Sequence, residues 1–456
     1  MTGRWKTLLT VFAAVLTIQA LFLYSPYFTY DSFEYLQLSL FPKIGAAHSF
    51  GFGMILRLYY ALAKMMRDPG AVLKLYMIHQ SLLLSAVFLI PVECARRWLA
   101  RARERSWLQL APGALLQGAF WLLLAPGLLM LSSAVWSEIT YFFLMLLCFW
   151  LVLKSTLETP WKWGAACALV VFGYHVRYQF VIVPGALLVS SVVDWLRSRR
   201  RDRLRNAVLA VLMLASIKVA DFGLRDLFGS SPVAAAMMVR GAAASMQCAL
   251  RCDFPLFSRL KCVDPERTGF VNRMFCSDLT LGFVPAGDIL YEGRSLGGLM
   301  SFIGAMNTLK WLIRAPFVYF LDEHTRWGLE VGRYEFLKDS SRIMFPEAVA
   351  FYEKGMQIEN AQPRGLFRNL LVLLNFLHFR LKLYHCLLAL TALLSIPLAL
   401  GTRDAIQRVL ALSTLMTLAI FAYFNAEVPI RFLIQTILPG LLGCLLFAAE
   451  RLDAQS

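Results

Sequence analysis

The chain of 456 residues is 59% hydrophobic and 16% charged, with a mean hydropathy of +0.60, which excludes a soluble globular domain: one water-facing fold cannot bury that much apolar side chain. The net charge of +16 would point to nucleic acid in a soluble protein. Here Arg and Lys fall in short clusters between apolar stretches, the positive-inside pattern of a polytopic membrane protein, and no nucleic acid is expected as a partner.

Apolar stretches of about twenty residues recur along the chain. Each can cross a hydrocarbon layer roughly 30 Å thick as a helix, which satisfies its own backbone hydrogen bonds in lipid. Arg4 and Lys6 precede the first, residues 7–25, which continues to Tyr24 without a small-residue cleavage site and reads as a retained helix with a cytoplasmic N-terminus. Residues 26–71 then form a first outer loop, and a second span at 72–93 leads to Arg96, Arg97, Arg101, Arg103 and Arg105. His79 and Gln80 inside that span are read as satisfying one another or a neighbouring helix.

Spans at 110–131 and 138–154 make a hairpin that turns outside at Ser132, Ser133 and Glu138 and returns to an inner loop with Lys154 and Lys162. A fifth span at 163–176 meets an outer turn at Tyr174 to Gln179. A sixth at 180–196 descends to Arg197, Arg199, Arg200, Arg201, Arg203 and Arg205, the strongest topological marker in the chain. After a seventh span at 206–223, residues 224–379 form a large outer segment of mixed charge. Within it, the stretches 298–321 and 366–378 carry Lys310, Arg314 and Arg364 at intervals that suit helices lying in the interface better than spanning ones. Spans at 380–400, 406–424 and 432–449, with Arg403, Arg408 and the C-terminus inside, bring the total to about ten.

The expected fold is thus an all-α polytopic membrane protein in three parts. These are an N-terminal transmembrane module (1–223) bearing the first outer loop, an outer loop domain (224–379) and C-terminal transmembrane helices (380–456). Of the nine cysteines, Cys248, Cys252, Cys262 and Cys276 all fall in the outer segment. An even number there suits two disulfides in an oxidising compartment, with the connectivity open. Zinc fits less well, since the spacings match no common finger and no histidine lies nearby.

With this topology drawn, Asp31, Glu34, His48, Glu138, His175, Arg177, Glu427 and Arg431 all stand at outer ends of spans or in outer loops. Span ends are also where polar residues sit in any membrane protein, so each has a plain structural reading beside a functional one. The sharpest local signal is Tyr30-Asp31-Ser32-Phe33-Glu34-Tyr35. Asp31 as N-cap with Glu34 three residues on is a capping-box variant. Equally, Asp31 can stand at the membrane surface as a general base, with Glu34 and Tyr35 shaping the same pocket.

A first span followed at once by this Asp-Ser-x-x-Tyr-Leu stretch, then by Ala46-Ala47-His48-Ser49-Phe50-Gly51-Phe52-Gly53, resembles the GT-C glycosyltransferases. The likeness is to the branch of protein O-mannosyltransferases and lipid A aminoarabinose transferases, polytopic enzymes that take sugar from a polyprenyl-phosphate carrier. Ser137-Glu138, His175-Val176-Arg177 and Pro429-Ile430-Arg431-Phe432 followed by Pro439 match further family positions in order, spacing and sidedness. The family's prolines around His48 are absent, and Asp31-Ser32 stands where the family shows Asp-Glu.

The resemblance implies a bacterial inner-membrane enzyme with its site facing the periplasm, a polyprenyl-phosphate-linked sugar as donor, and a lipid, glycan or protein acceptor. Asp31 would be the catalytic base. No clear metal-binding pair appears in the sequence, so no cofactor and no divalent metal are expected. Independently of the family, transfer from a lipid phosphate needs a carboxylate to accept a proton and cations to meet the leaving phosphate. Asp31 would supply the first, and Arg177 and Arg431 the second, as planar forks that pair with phosphate. Those arginines can also be read as snorkelling to headgroups. His48 would donate to the phosphate or hold its loop, Glu138 would orient an arginine or bond the sugar, and His175 reads more simply as a packing residue. Rival readings are a flippase or transporter of lipid-linked sugars, an O-antigen polymerase or ligase, and a non-catalytic partner in envelope assembly.

Overall fold

The computed structural model describes residues 2–22, 32, 35, 39, 50–68, 71–102, 105–133, 137–199, 204–228, 242, 245–246, 296–321, 366–424 and 430–454. Every regular element among them is helical. The helices of the N-terminal module are α1 (Thr2–Phe22), α2 (Phe50–Met65), α3 (Ala71–Arg101), α4 (Trp107–Gly118), α5 (Ala125–Ser133), α6 (Glu138–Leu153), α7 (Thr159–Val176), α8 (Ile182–Ser198) and α9 (Arg205–Phe228). From the outer segment come α10 (Leu296–Ile303), α11 (Ala305–Leu321) and α12 (Leu366–Arg380), and from the C-terminal part α13 (Leu383–Gly401), α14 (Ala405–Phe424) and α15 (Ile430–Ala454). A π-helical stretch, Ala119–Leu124, joins α4 to α5. Pro126, just beyond it, has no N–H to donate and its ring crowds the preceding turn, a common cause of such widening.

Among the described residues, seven stretches are long and apolar enough to cross a membrane: Lys74–Arg101, Gln109–Ser132, Tyr178–Ser198, Arg205–Gly223, Leu383–Gly401, Ala405–Phe424 and Arg431–Ala454. They coincide with seven of the ten expected spans. The first and fourth expected spans fall on shorter apolar helices, Trp5–Ala20 and Glu138–Leu153. The fifth falls on α7, whose opening Thr-Pro-Trp-Lys-Trp lowers its apolarity. Of the expected outer domain, only α10, α11, α12 and a few further residues are described.

Contacts at the helix ends divide the bundle into two poles. At one, Arg97 and Arg101 at the end of α3 meet Asp453 of α15, and Lys154 at the end of α6 meets Asp404 at 3.1 Å. Arg197 of α8 donates to the Thr402 carbonyl at 3.0 Å, and Gln407 donates to Glu450 at 2.7 Å. Arg408, expected on the inner side near the start of the ninth span, is fully buried at this pole. It pairs with Asp194 of α8 at 2.5 Å and donates to the carbonyl of Thr402 at 2.6 Å. The opposite pole gathers Ser137, Arg177 and Arg431.

Between the poles, polar side chains tie helices together. Gln19 of α1 bonds Ser81 of α3 and Ser132 of α5. Gln80 donates to Thr140 of α6 at 3.1 Å, which places it against a neighbouring helix, one of the two readings of the sequence. The most consequential tie is on α15. Pro439 removes one donor from the helical ladder. One rung further on, Thr414 of α14 inserts into the ladder, its hydroxyl donating to the Thr436 carbonyl at 2.8 Å and accepting from Gly440 N–H at 2.7 Å. A side chain at Gly440 would meet Thr391, Ser395 and Thr414 at 2.6–2.7 Å, so only glycine lets α13 and α14 approach this closely.

Candidate functional site

Ser137 and Glu138 open α6, and Glu138 is the acidic residue of its first turn, where the helix dipole favours negative charge. Ser137 stands at the N-cap but makes no side-chain cap hydrogen bond. Its hydroxyl instead receives Arg177 Nη1 at 3.2 Å and contacts the Tyr35 hydroxyl at 3.1 Å.

Arg177 lies in the extended break between α7 and the short 3-10 turn Tyr178–Val181. Two packing features fix the break. The Phe180 ring fills the notch at Gly173, and the backbone of Gly51 in α2 lies against the His175 carbonyl so closely that a Cβ there would come within 2.4 Å. The glycine-bearing segment singled out in the sequence therefore braces the residues that precede Arg177. From this position Arg177 Nη1 reaches Glu138 Oε1 at 2.8 Å, with the arginine side chain 10% and the carboxylate 1% exposed.

The first turns of α15 complete the cluster. Arg431 Nη1 stands 3.9 Å from the same Glu138 oxygen, an ionic distance beyond hydrogen-bond range. Gln435, four residues on and hence on the same helix face, turns its amide oxygen to Arg177, accepting from Nε at 3.0 Å and Nη2 at 3.2 Å. Phe432 lies beneath both guanidinium groups, with centroid distances of 5.7 Å to Arg177 and 5.2 Å to Arg431, and stacks on Phe421 at 4.5 Å. Both cations are thus within cation–π range of one ring.

Neither oxygen of Glu138 receives an aligned hydrogen bond among the described residues. Its contacts with the arginines are ionic, and one carboxylate faces two guanidinium groups. Arg177 and Arg431 bring two guanidinium groups to one place, in a setting where charge interactions are stronger than in water. Such an arrangement favours an anion, and guanidinium forks suit phosphate in particular.

Of the expected site residues, Tyr35, Glu138, Arg177 and Arg431 come together here. Tyr35 is buried, its ring edge-on to Phe52 at 4.8 Å. It shares with Ser32 and Ser39 a helical, buried stripe spaced i, i+3, i+7. His175 is buried, its ring edge-on to Tyr174 at 5.3 Å, with Asp221 of α9 in electrostatic reach. It lines an apolar cleft of about 600 Å³ with Gly51 and Met54 of α2, Cys167, Ala168, Val171 and Phe172 of α7, and Ser216 of α9. Asp31, Glu34, His48, Glu427 and the four cysteines Cys248, Cys252, Cys262 and Cys276 lie outside the described residues. Sequence reasoning missed Gln435, whose i+4 spacing from Arg431 was the available signal. Comparison with known protein families, with curated proteins and with solved structures gives no match to this chain.

Proposed function

We propose that the chain is a membrane glycosyltransferase of GT-C type, moving a monosaccharide from a polyprenyl-phosphate donor to an acceptor hydroxyl on a lipid, glycan or protein. The reading places the enzyme in a bacterial inner membrane with its site facing the periplasm. The observation that carries it is the convergence of Tyr35, Glu138, Arg177 and Arg431, distant in sequence, into one cluster that holds two guanidinium groups.

In this mechanism the acceptor hydroxyl gives its proton to the Asp31 carboxylate and its oxygen attacks the anomeric carbon. The bond from that carbon to the phosphate oxygen breaks, and the lipid phosphate leaves with the electron pair. Single displacement inverts the anomeric centre. Arg177 and Arg431 meet the charge that develops on the phosphate, Glu138 holds the two arginines at a common spacing, and His48 assists the phosphate or holds its loop. The apolar cleft beginning at His175, two residues from Arg177, offers a wall for the polyprenyl chain. No cofactor takes part, since the donor already carries an activated sugar.

The test is transfer of radiolabelled sugar from a panel of synthetic polyprenyl-phosphate monosaccharides to membrane-extract acceptors, by wild type and by Asp31→Asn. Asparagine preserves a helix cap but cannot serve as a comparable base. Labelled product from wild type, reduced by roughly a hundredfold or more in the variant, is expected. Equal transfer by both removes Asp31 from catalysis, and no transfer by either across the panel overturns the enzyme reading.

A further inference from the structure

Helix α11 shows three distinct faces. Thr308, Trp311 and Ala315 form a buried stripe. The Trp311 indole donates to Ser245 at 3.1 Å and packs edge-on against Tyr423 of α14 at 5.4 Å, while the Tyr423 hydroxyl donates to the Leu312 carbonyl at 2.9 Å. The middle of α11 is thereby pinned to the last turn of α14, at the pole that holds Arg177 and Arg431. Gly304, in the left-handed region at φ +79°, turns the chain from α10 into α11, a conformation that favours glycine.

Away from the protein, Met306, Leu309, Leu312 and Ile313 are 40–67% exposed. At about 100° per residue, Met306, Leu309 and Ile313 cover the side opposite the buried stripe, Leu312 lies on one flank of the stripe, and Lys310 and Arg314 fall together on the other. Both cations are exposed. The helix contains no Asp or Glu, and among the described residues neither cation has an ion-pair or hydrogen-bond partner. An apolar face bordered by an unpaired cationic edge, on a helix held at one end of a membrane bundle, has the form of an element lying in the interface.

We propose that α11 is an interfacial helix that binds anionic phospholipid headgroups through Lys310 and Arg314 while Met306, Leu309, Leu312 and Ile313 enter the acyl region. The occupant is the bilayer rather than an acidic protein, because the exposed apolar side chains flank the cations directly. Helix α11 is then an anchor that holds the last turn of α14 at the membrane surface, independent of the transfer reaction.

The test is hydrogen exchange of the full chain, read by mass spectrometry, in nanodiscs of phosphatidylcholine with and without phosphatidylglycerol. For wild type, phosphatidylglycerol is expected to slow exchange in α11 by roughly tenfold or more, each surface cation contributing about a factor of five, with α15 unchanged as the control. K310Q/R314Q should lose that slowing yet match wild type in phosphatidylcholine. M306Q/I313Q should exchange faster in both lipids. Equal α11 exchange in the two lipids, or full slowing retained by K310Q/R314Q, overturns the proposal. So does slowing reproduced by inorganic phosphate in neutral nanodiscs, which would make the site one for free anion.

Discussion

Glu138 is one carboxylate facing two guanidinium groups, and the arrangement depends on its charge rather than on its shape. In Glu138→Gln, Arg177 would lose the carboxylate that it meets at 2.8 Å in a largely buried space. Losing one partner of a buried ion cluster costs about 3 kcal/mol, so detergent-solubilised Glu138→Gln should unfold at a clearly lower temperature, while Glu138→Asp, which keeps the charge, should lose less. Arg177→Lys separates two further contributions. An ammonium can still reach Glu138 but cannot offer two parallel N–H groups to Gln435. That variant should lose about 1 kcal/mol, measured in the same unfolding assay, and Gln435→Ala combined with it should add little. Ser137 belongs to the same account. A serine at an N-cap normally bonds its own helix, whereas here its hydroxyl is committed to Tyr35 and Arg177.

Among the elements, α12 inverts the pattern of a soluble amphipathic helix. Leu370, Leu373, Leu374 and Leu377 are exposed while Asn375 and His378 are buried, and Asn375 accepts from Tyr384 at 2.6 Å. An apolar outside and a polar inside suit a helix whose surroundings are lipid. Helix α15 depends on α14 in a different way, through the Thr414 hydroxyl placed at Pro439. Thr414→Val would remove both hydrogen bonds that tie α14 to α15 at this point, and Gly440→Ala would push α15 away from α13 and α14. Each should destabilise the protein by about 1–3 kcal/mol, read as a lowered unfolding midpoint. Span positions were legible in the sequence because hydropathy sums over about twenty residues and tolerates local exceptions. The Thr414 insertion was not legible, since a threonine in an apolar helix looks the same whether it bonds its own helix or a neighbour. Glu138, Arg177 and Arg431 could be grouped by sidedness and Tyr35 added from the stretch around Asp31, while His175, in the same group but read as a packing residue, faces the apolar cleft.

Across the whole molecule, charge is distributed by pole and the two poles use it differently. The basic pole includes exposed pairs such as Lys154–Asp404 and one wholly buried cation, Arg408, held by Asp194, Ser190 and Thr402. Hydropathy places Lys154 and Arg408 alike near the inner ends of apolar stretches, and burial tells them apart. Arg408→Ala should therefore cost about 3 kcal/mol and Lys154→Ala less than about 1 kcal/mol, compared by denaturant titration in mixed micelles. At the opposite pole, Arg177 and Arg431 bring two guanidinium groups to the single buried carboxylate of Glu138.

The hydroxyl of Thr414 has a genetic consequence. It supports α15 one turn beyond Gln435, so the register of Arg431 and Gln435 is set from a different helix. A selection for loss of function should recover Thr414 and Gly440 alongside the charged residues, and second-site suppressors of a Thr414 lesion should map to α13 and α14 rather than to the cluster itself.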